Sequence, residues 1–173
     1  MAGAGAGEVS DGRRKLAMFG TILGVVVVLD LITKLIVQRT FRPLEQIDVI
    51  GSFIRLTYIT NPGAAFGIYL GPSSRLIFLG LSVLAIFVLV AMYRYTPAGD
   101  RIRLTAIALI CSGAFGNLID RLRSTHGVID FVDVGIGDLR WPVFNVADMA
   151  VTTGAVVLAL SLWREDRRIE SRE

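Results

Sequence analysis

The sequence predicts an all-α integral membrane protein, with four transmembrane helices and a small extracytoplasmic β element formed from the two outer loops. Three observations carry this expectation. The 173-residue chain is 53% apolar and only 19% charged, far from the balance of a soluble domain. Its apolar residues gather into four runs of near-spanning length, and in lipid such a run must be helical because every backbone amide needs an internal partner. Between runs one and two, and again between three and four, lie segments rich in β-branched and aromatic residues. Several function classes recede at the same time. One cysteine, Cys111, and one histidine, His126, build neither a disulfide framework nor a zinc site within the chain, and no HExxH, GxSxG or P-loop pattern occurs. No cofactor or metal is expected.

Residues 1–15, opening with MAGAGAGEVSDG, are small, polar and aperiodic at first and read as a disordered cytoplasmic tail. A membrane domain is expected over 16–163, followed by a basic cytoplasmic tail over 164–173. The first span runs from Leu16 to Val37 if Asp30, Thr33 and Lys34 are tolerated. Arg13, Arg14 and Lys15 precede it as in a secretory leader, but no small-residue cleavage site follows Leu29 and three more spans come after, so it reads as a retained helix. The outer loop over 38–74 contains IDVIGSFIRLTYIT, with turn signals at Gly51 and at Asn61-Pro62-Gly63, and predicts a hairpin or small sheet. Arg75 to Tyr93 is the second span and Leu104 to Ile119 a rather short third. GVIDFVDVGIGDLRW, with a turn signal at Gly135 to Gly137, supplies further strands before the last span, Val143 to Trp163. Ten of the 18 lysines and arginines fall before span one, between spans two and three, or after span four, which predicts cytoplasmic termini. The net charge of +3 then serves orientation and contact with anionic lipid headgroups, and no nucleic-acid partner is expected.

Ionisable residues inside spans are costly and are functional hypotheses by default. Asp30 lies fourteen residues beyond Leu16, which puts it about 20 Å across a core of about 30 Å, in the outer half. Span three ends outward with Asn117, Asp120 and Arg121, and span four begins there with Asn145, Asp148 and Thr152. Each triple shares one helical face, as does Asp30 with Thr33 and Lys34, so three polar faces meet at one depth. Asp30 with Lys34, or Asp120 with Arg121, can equally be neutralised sets that only hold helices together. Asp148 fits that reading less well, having no basic residue within four positions on either side. A carboxylate so placed calls for a partner, and Asp130, on the extended GVIDFV segment, is favoured over Asp133 and Asp138. Two such carboxyls would share a proton and activate water without a metal. The competing class is a small transporter or proton/cation relay, which would spread carboxylates through the membrane depth. A metal-dependent lipid-phosphate transferase and a non-enzymatic assembly subunit are weaker rivals.

Five segments then fall into a known order: DLITK at Asp30 to Lys34, NPGAAFG at Asn61 to Gly67, GNLIDR at Gly116 to Arg121, GVIDF at Gly127 to Phe131, and FNVADMAVTTG at Phe144 to Gly154. Over nearly its full length the chain resembles the lipoprotein signal peptidases, or signal peptidase II family. These are bacterial inner-membrane aspartic endopeptidases with four spans and cytoplasmic termini, which cleave prolipoproteins before a diacylglyceryl-modified cysteine. The resemblance implies that Asp130 and Asp148 are the catalytic pair and that Asn61, Asn117, Arg121 and Asn145 line the substrate pocket. Within NPGAAF, Gly63 would let a peptide approach closely and Phe66 would cover acyl chains. Asp30, Lys34 and Asp120 would be structural or supporting. The implied partners are diacylglyceryl-modified prolipoproteins and membrane lipids, with a monomer expected and the site near the outer face.

Overall fold

The computed structural model describes residues 2–62 and 71–170. Among them, four helices are long and apolar enough to cross a membrane: α1 (Ala2–Thr40), α2 (Ser74–Tyr95), α3 (Arg101–Arg123) and α4 (Val146–Glu170). α1 begins at Ala2. Lys15 ties this end down, donating to the Thr96 carbonyl at 2.7 Å with its ammonium 4.4 Å from the Tyr93 ring centroid. The third span is a full one, because Asp100 caps it by accepting from the Arg103 amide at 3.0 Å, and charged residues continue the helix at both ends. The fourth begins three residues later than its apolar run suggests, where Asn145 caps it.

α3 is the axis of the bundle and packs against α1, α2 and α4. Its buried side is built of small residues, including Ala106, Ala108, Ser112, Gly113 and Gly116. That choice is steric. A Cβ on Gly113 would lie 2.2 Å from the Ala147 carbonyl oxygen, and one on Gly154 would lie 2.8 Å from that of Ala106. Close helix approach is how bundles gain packing energy where lipid is as apolar as leucine. The apolar surplus faces outward, as Leu76 and Phe87 of α2 show. At the far end, Arg103 at the start of α3 pairs with Glu165 late in α4, at the same end as Lys15.

The two loops at the other end combine into one antiparallel sheet of β1 (Gln46–Ile50), β2 (Ile54–Asn61), β3 (Val128–Ile136) and β4 (Leu139–Arg140), in that order. The β element expected from the two outer segments is therefore present, and it is the β2–β3 pairing that joins them. Asn61 stands opposite Val128 and Ile59 opposite Asp130. Gly127 makes the junction possible. Its φ is +96°, and a Cβ there would lie 2.0 Å from the Asn61 carbonyl oxygen. β3 is also tied to the entrance of α4, since Val132 and Phe144 exchange backbone hydrogen bonds of 2.8 and 3.0 Å. This tie lowers the strand bearing Asp130 onto the helix bearing Asp148.

Candidate active site

α4 opens with a reciprocal cap. The Asn145 side-chain oxygen accepts from the Asp148 amide at 2.9 Å, and the Asp148 carboxylate accepts from the Asn145 amide at 3.2 Å. The arrangement satisfies orphan amides at the helix start. The other Asp148 oxygen accepts from the Asn117 side-chain amide of α3 at 2.8 Å. Asp130, on β3, is almost wholly buried. One of its oxygens accepts from the Asn145 amide nitrogen at 2.7 Å and the other from that of Asn61 at 3.0 Å. Asn145 therefore touches both carboxyls, and β2, β3, α3 and α4 each contribute a group.

The two carboxyls differ in setting. Asp130 lies outside the spanning helices, and burial, reinforced by the negative charge of Asp148, pushes its pKa up to about 7. The donors Asn61 and Asn145 and the charge of Lys34 oppose that rise without cancelling it. A carboxyl that holds a proton near neutrality beside a second carboxyl is an arrangement able to divide into acid and base. Arg121 stands by with its charge coupled to Asp148, Asp130 and Asp120. It donates to the Asn117 carbonyl at 3.2 Å and lies 5.8 Å from the Phe78 ring centroid.

Behind this pair lies a buried charge cluster. The Lys34 ammonium reaches Asp30 at 2.7 Å, Asp120 at 2.8 Å and the Asn117 side-chain oxygen at 3.0 Å. The second Asp30 oxygen accepts from the Ala147 amide at 2.9 Å, so a side chain of α1 satisfies the first turn of α4. Asp30 with Lys34 is thus the neutralised pair that spacing allowed. Asp120 finds Lys34 rather than Arg121, since consecutive helical residues point about 100° apart.

The structure gathers Asn61, Asn117, Arg121, Asp130, Asn145 and Asp148 at one place, with Asp30, Lys34 and Asp120 supporting them. Asp133, the competing choice, is held by Arg140 at 2.8 Å, and Asp138 is exposed. Gly63 and Phe66 lie outside the described residues. Two neighbours expected on the polar faces do not join: the Thr33 hydroxyl donates to its own helix at Leu29, 2.7 Å, and Thr152 is exposed. α2 was the omission. Its Arg75 donates to the Arg121 carbonyl at 2.9 Å, and Ser82 accepts from the Arg121 guanidinium at 3.4 Å. Arg75, Phe78 and Ser82 recur at helical spacing in the sequence, and that spacing is the signal by which they could have been found.

Comparison with known proteins gives this geometry a family. The family model described as signal peptidase (SPase) II matches residues 22–164. A lipoprotein signal peptidase of Moorella thermoacetica is 43% identical over 138 residues, covering 80% of this chain and 87% of that protein. One of Geobacter sulfurreducens is 41% identical over 152 residues, covering 87% and 94%. A solved structure described as a bacterial membrane enzyme, 31% identical, superposes with a TM-score of 0.78 over 87% of this chain and 90% of that one. Four spans with a small sheet at one end of the bundle accord with these matches, and the chain belongs to the signal peptidase II family.

Proposed function

We propose that this protein is a membrane aspartic endopeptidase that removes the signal peptide of prolipoproteins by cleaving before a diacylglyceryl-modified cysteine. The observation that carries the reading is the joining of Asp130 and Asp148 through Asn145, with Asn61 and Asn117 completing their hydrogen bonds. In this scheme a water lies between the carboxyls. Asp148, charged at the start of α4, takes a proton from the water as its oxygen attacks the scissile carbonyl carbon. Asp130 gives its proton to the carbonyl oxygen as charge develops there. On collapse of the tetrahedral intermediate, Asp148 passes the acquired proton to the departing amine nitrogen while Asp130 recovers its own from the hydroxyl. Both carboxyls return to their starting states.

Arg121 and the asparagines hold the extended substrate backbone, and Gly63 and Phe66 complete the pocket around backbone and lipid. The location suits the substrate. A diacylglyceryl chain anchors its cysteine at the interface, and the site lies at the sheet end of the bundle, opposite the end that holds Lys15, Arg103 and Glu165. In this reading both termini are cytoplasmic and the site faces the outer side of the inner membrane, in keeping with the ten basic residues assigned to the cytoplasmic segments. The enzyme works as a monomer, over a catalytic domain of 16–163.

The test is cleavage of a diacylglyceryl-modified prolipoprotein by purified protein in detergent and chelator, wild type against Asp148→Asn. Cleavage just before the modified cysteine, lost in the variant, is the expected result. Cleavage indifferent to Asp148 returns the chain to the relay reading.

A further inference from the structure

A cavity of about 650 Å³ opens on the other side of the buried charge cluster, between the last turns of α1, the end of α3 and strands β2 and β3. None of Asn61, Asn117, Asp130, Asn145 or Asp148 lines it. Its floor is Lys34 and Asp120, paired at 2.8 Å, with the same ammonium also paired to Asp30 behind it. Ile129 closes the side toward the catalytic pair, its amide directed at Asp120.

The lining divides by polarity along the membrane normal. Leu31 and Leu35 of α1 and Ile59 of β2 form an apolar wall, while Arg123, the last residue of α3, and His126 just after it stand at the rim. Both rim residues are exposed, and Arg123 makes no ion pair among the described residues. The excess charge at the mouth is therefore positive. Leu44 lines the same cavity in an unusual way. It is 77% exposed and has a φ of +69°, in the left-handed region that a leucine rarely enters. Its amide donates to the Tyr58 carbonyl at 2.8 Å, which holds the strained turn. An exposed apolar side chain kept at a backbone cost is best explained by something apolar beside it.

We propose that this cavity binds an anionic phospholipid of the outer leaflet, with its phosphate at Arg123 and His126 and an acyl chain along Leu31, Leu35 and Leu44. The cavity sits where α1 and α3 leave the apolar core, which is headgroup depth, and its polarity follows that of a phospholipid from head to chain. A free phosphate would leave the apolar wall without a partner, and a zwitterionic headgroup would carry its own cation to the Arg123 rim. The inference rests on the four spans and not on the proteolytic reading, so the two stand or fall separately.

The test is native mass spectrometry of the full-length protein titrated with dioleoyl phosphatidylglycerol and, separately, with dioleoyl phosphatidylcholine. The phosphatidylglycerol should bind more tightly, and Arg123→Gln should weaken it about fivefold, the effect of one cation beside an anionic headgroup. Leu44→Asp guards against a folding artefact. Aspartate tolerates positive φ better than leucine, so melting temperature should hold or rise while a negative charge at the mouth weakens phosphatidylglycerol binding. Equal affinity for the two lipids, or unchanged phosphatidylglycerol affinity in both variants, overturns the proposal. So does displacement of bound phosphatidylglycerol by a diacylglyceryl lipopeptide, which would make the cavity part of the substrate groove.

Discussion

Replacing Lys34 with methionine separates two jobs that one ammonium performs. The side chain is 3% exposed and pairs with Asp30 at 2.7 Å and Asp120 at 2.8 Å. Removing it strands Asp30, which is fully buried, and Asp120, which is nearly so, and breaking a buried pair from one side costs about 3–5 kcal/mol. In a chain of this length that is a fall of about 6–20 °C in melting temperature. The second job is orientation. An ammonium can only donate, so its contact at 3.0 Å fixes the Asn117 side-chain oxygen toward Lys34 and leaves the amide nitrogen for Asp148. With methionine only the longer bond from the Asn145 side-chain amide, 3.3 Å, still holds that oxygen, and the Asn117 amide can turn its carbonyl on Asp148. Loss of a hydrogen bond to a charged acceptor, about 1.5–3 kcal/mol, lowers kcat about 10- to 150-fold. The assays are melting in detergent and cleavage of a modified prolipoprotein. Adding Asp30→Asn and Asp120→Asn to Lys34→Met removes the stranded charges and should restore melting temperature without restoring kcat. A Lys34→Met protein that melts and cleaves like wild type refutes both arguments, and a triple variant that recovers kcat together with stability refutes the orientation argument alone.

Asp130→Asn and Asp148→Asn should each abolish cleavage while the protein still accumulates in the membrane. Asp133→Asn, which breaks only the pair with Arg140, should lower melting by a few degrees and leave cleavage intact; an essential Asp133 beside a dispensable Asp130 would show the wrong carboxyl has been chosen. Because Asp130 must be protonated to act as the acid and its pKa is raised to about 7, kcat/KM should fall as pH rises through about 7, with an apparent value that belongs to the pair. Asn61→Ala removes a donor that lowers this pKa and should move that limb upward; a downward move in the pH profile would contradict the assignment. The stability effect has a definite sign: a folded-state value above the ordinary 3.8 means the native state holds a proton the unfolded chain has lost, so Asp130 costs stability increasingly as pH rises from 3.8 to about 7. Gly127→Ala combines a φ of +96° with a contact of 2.0 Å to the Asn61 carbonyl, so β3 must part from β2 there. Cleavage should be lost well before the membrane helices melt, and retention of both Asn61 contacts and activity in the variant would count against the close approach.

What the residues revealed in advance divides along a physical line. Composition and run length were enough for four spans because lipid imposes one solution on an apolar stretch, whatever its neighbours are. Helical spacing likewise put Asn145 and Asp148 on one face of α4, and the same three-residue offset is what makes their reciprocal cap. Spacing within one element says nothing about how that element is rotated against another. The sequence therefore allowed Asp120 to pair with Arg121 and did not show that Lys34 crosses from α1 to take it. The same limit hid α2, whose Arg75 and Ser82 matter only because α3 turns Arg121 toward them. The choice of Asp130 over Asp133 shows where the missing information lies. Both are buried on β3, and their alternation along a strand would not choose between them without the partner strand and helix. Asn61 on β2 and Asn145 at the start of α4 supply donors to Asp130, while Arg140 on the return strand neutralises Asp133. Among the described residues Asp130 is the carboxyl left with amide donors and no cation within ion-pairing distance, which is why the proposed mechanism draws on its proton.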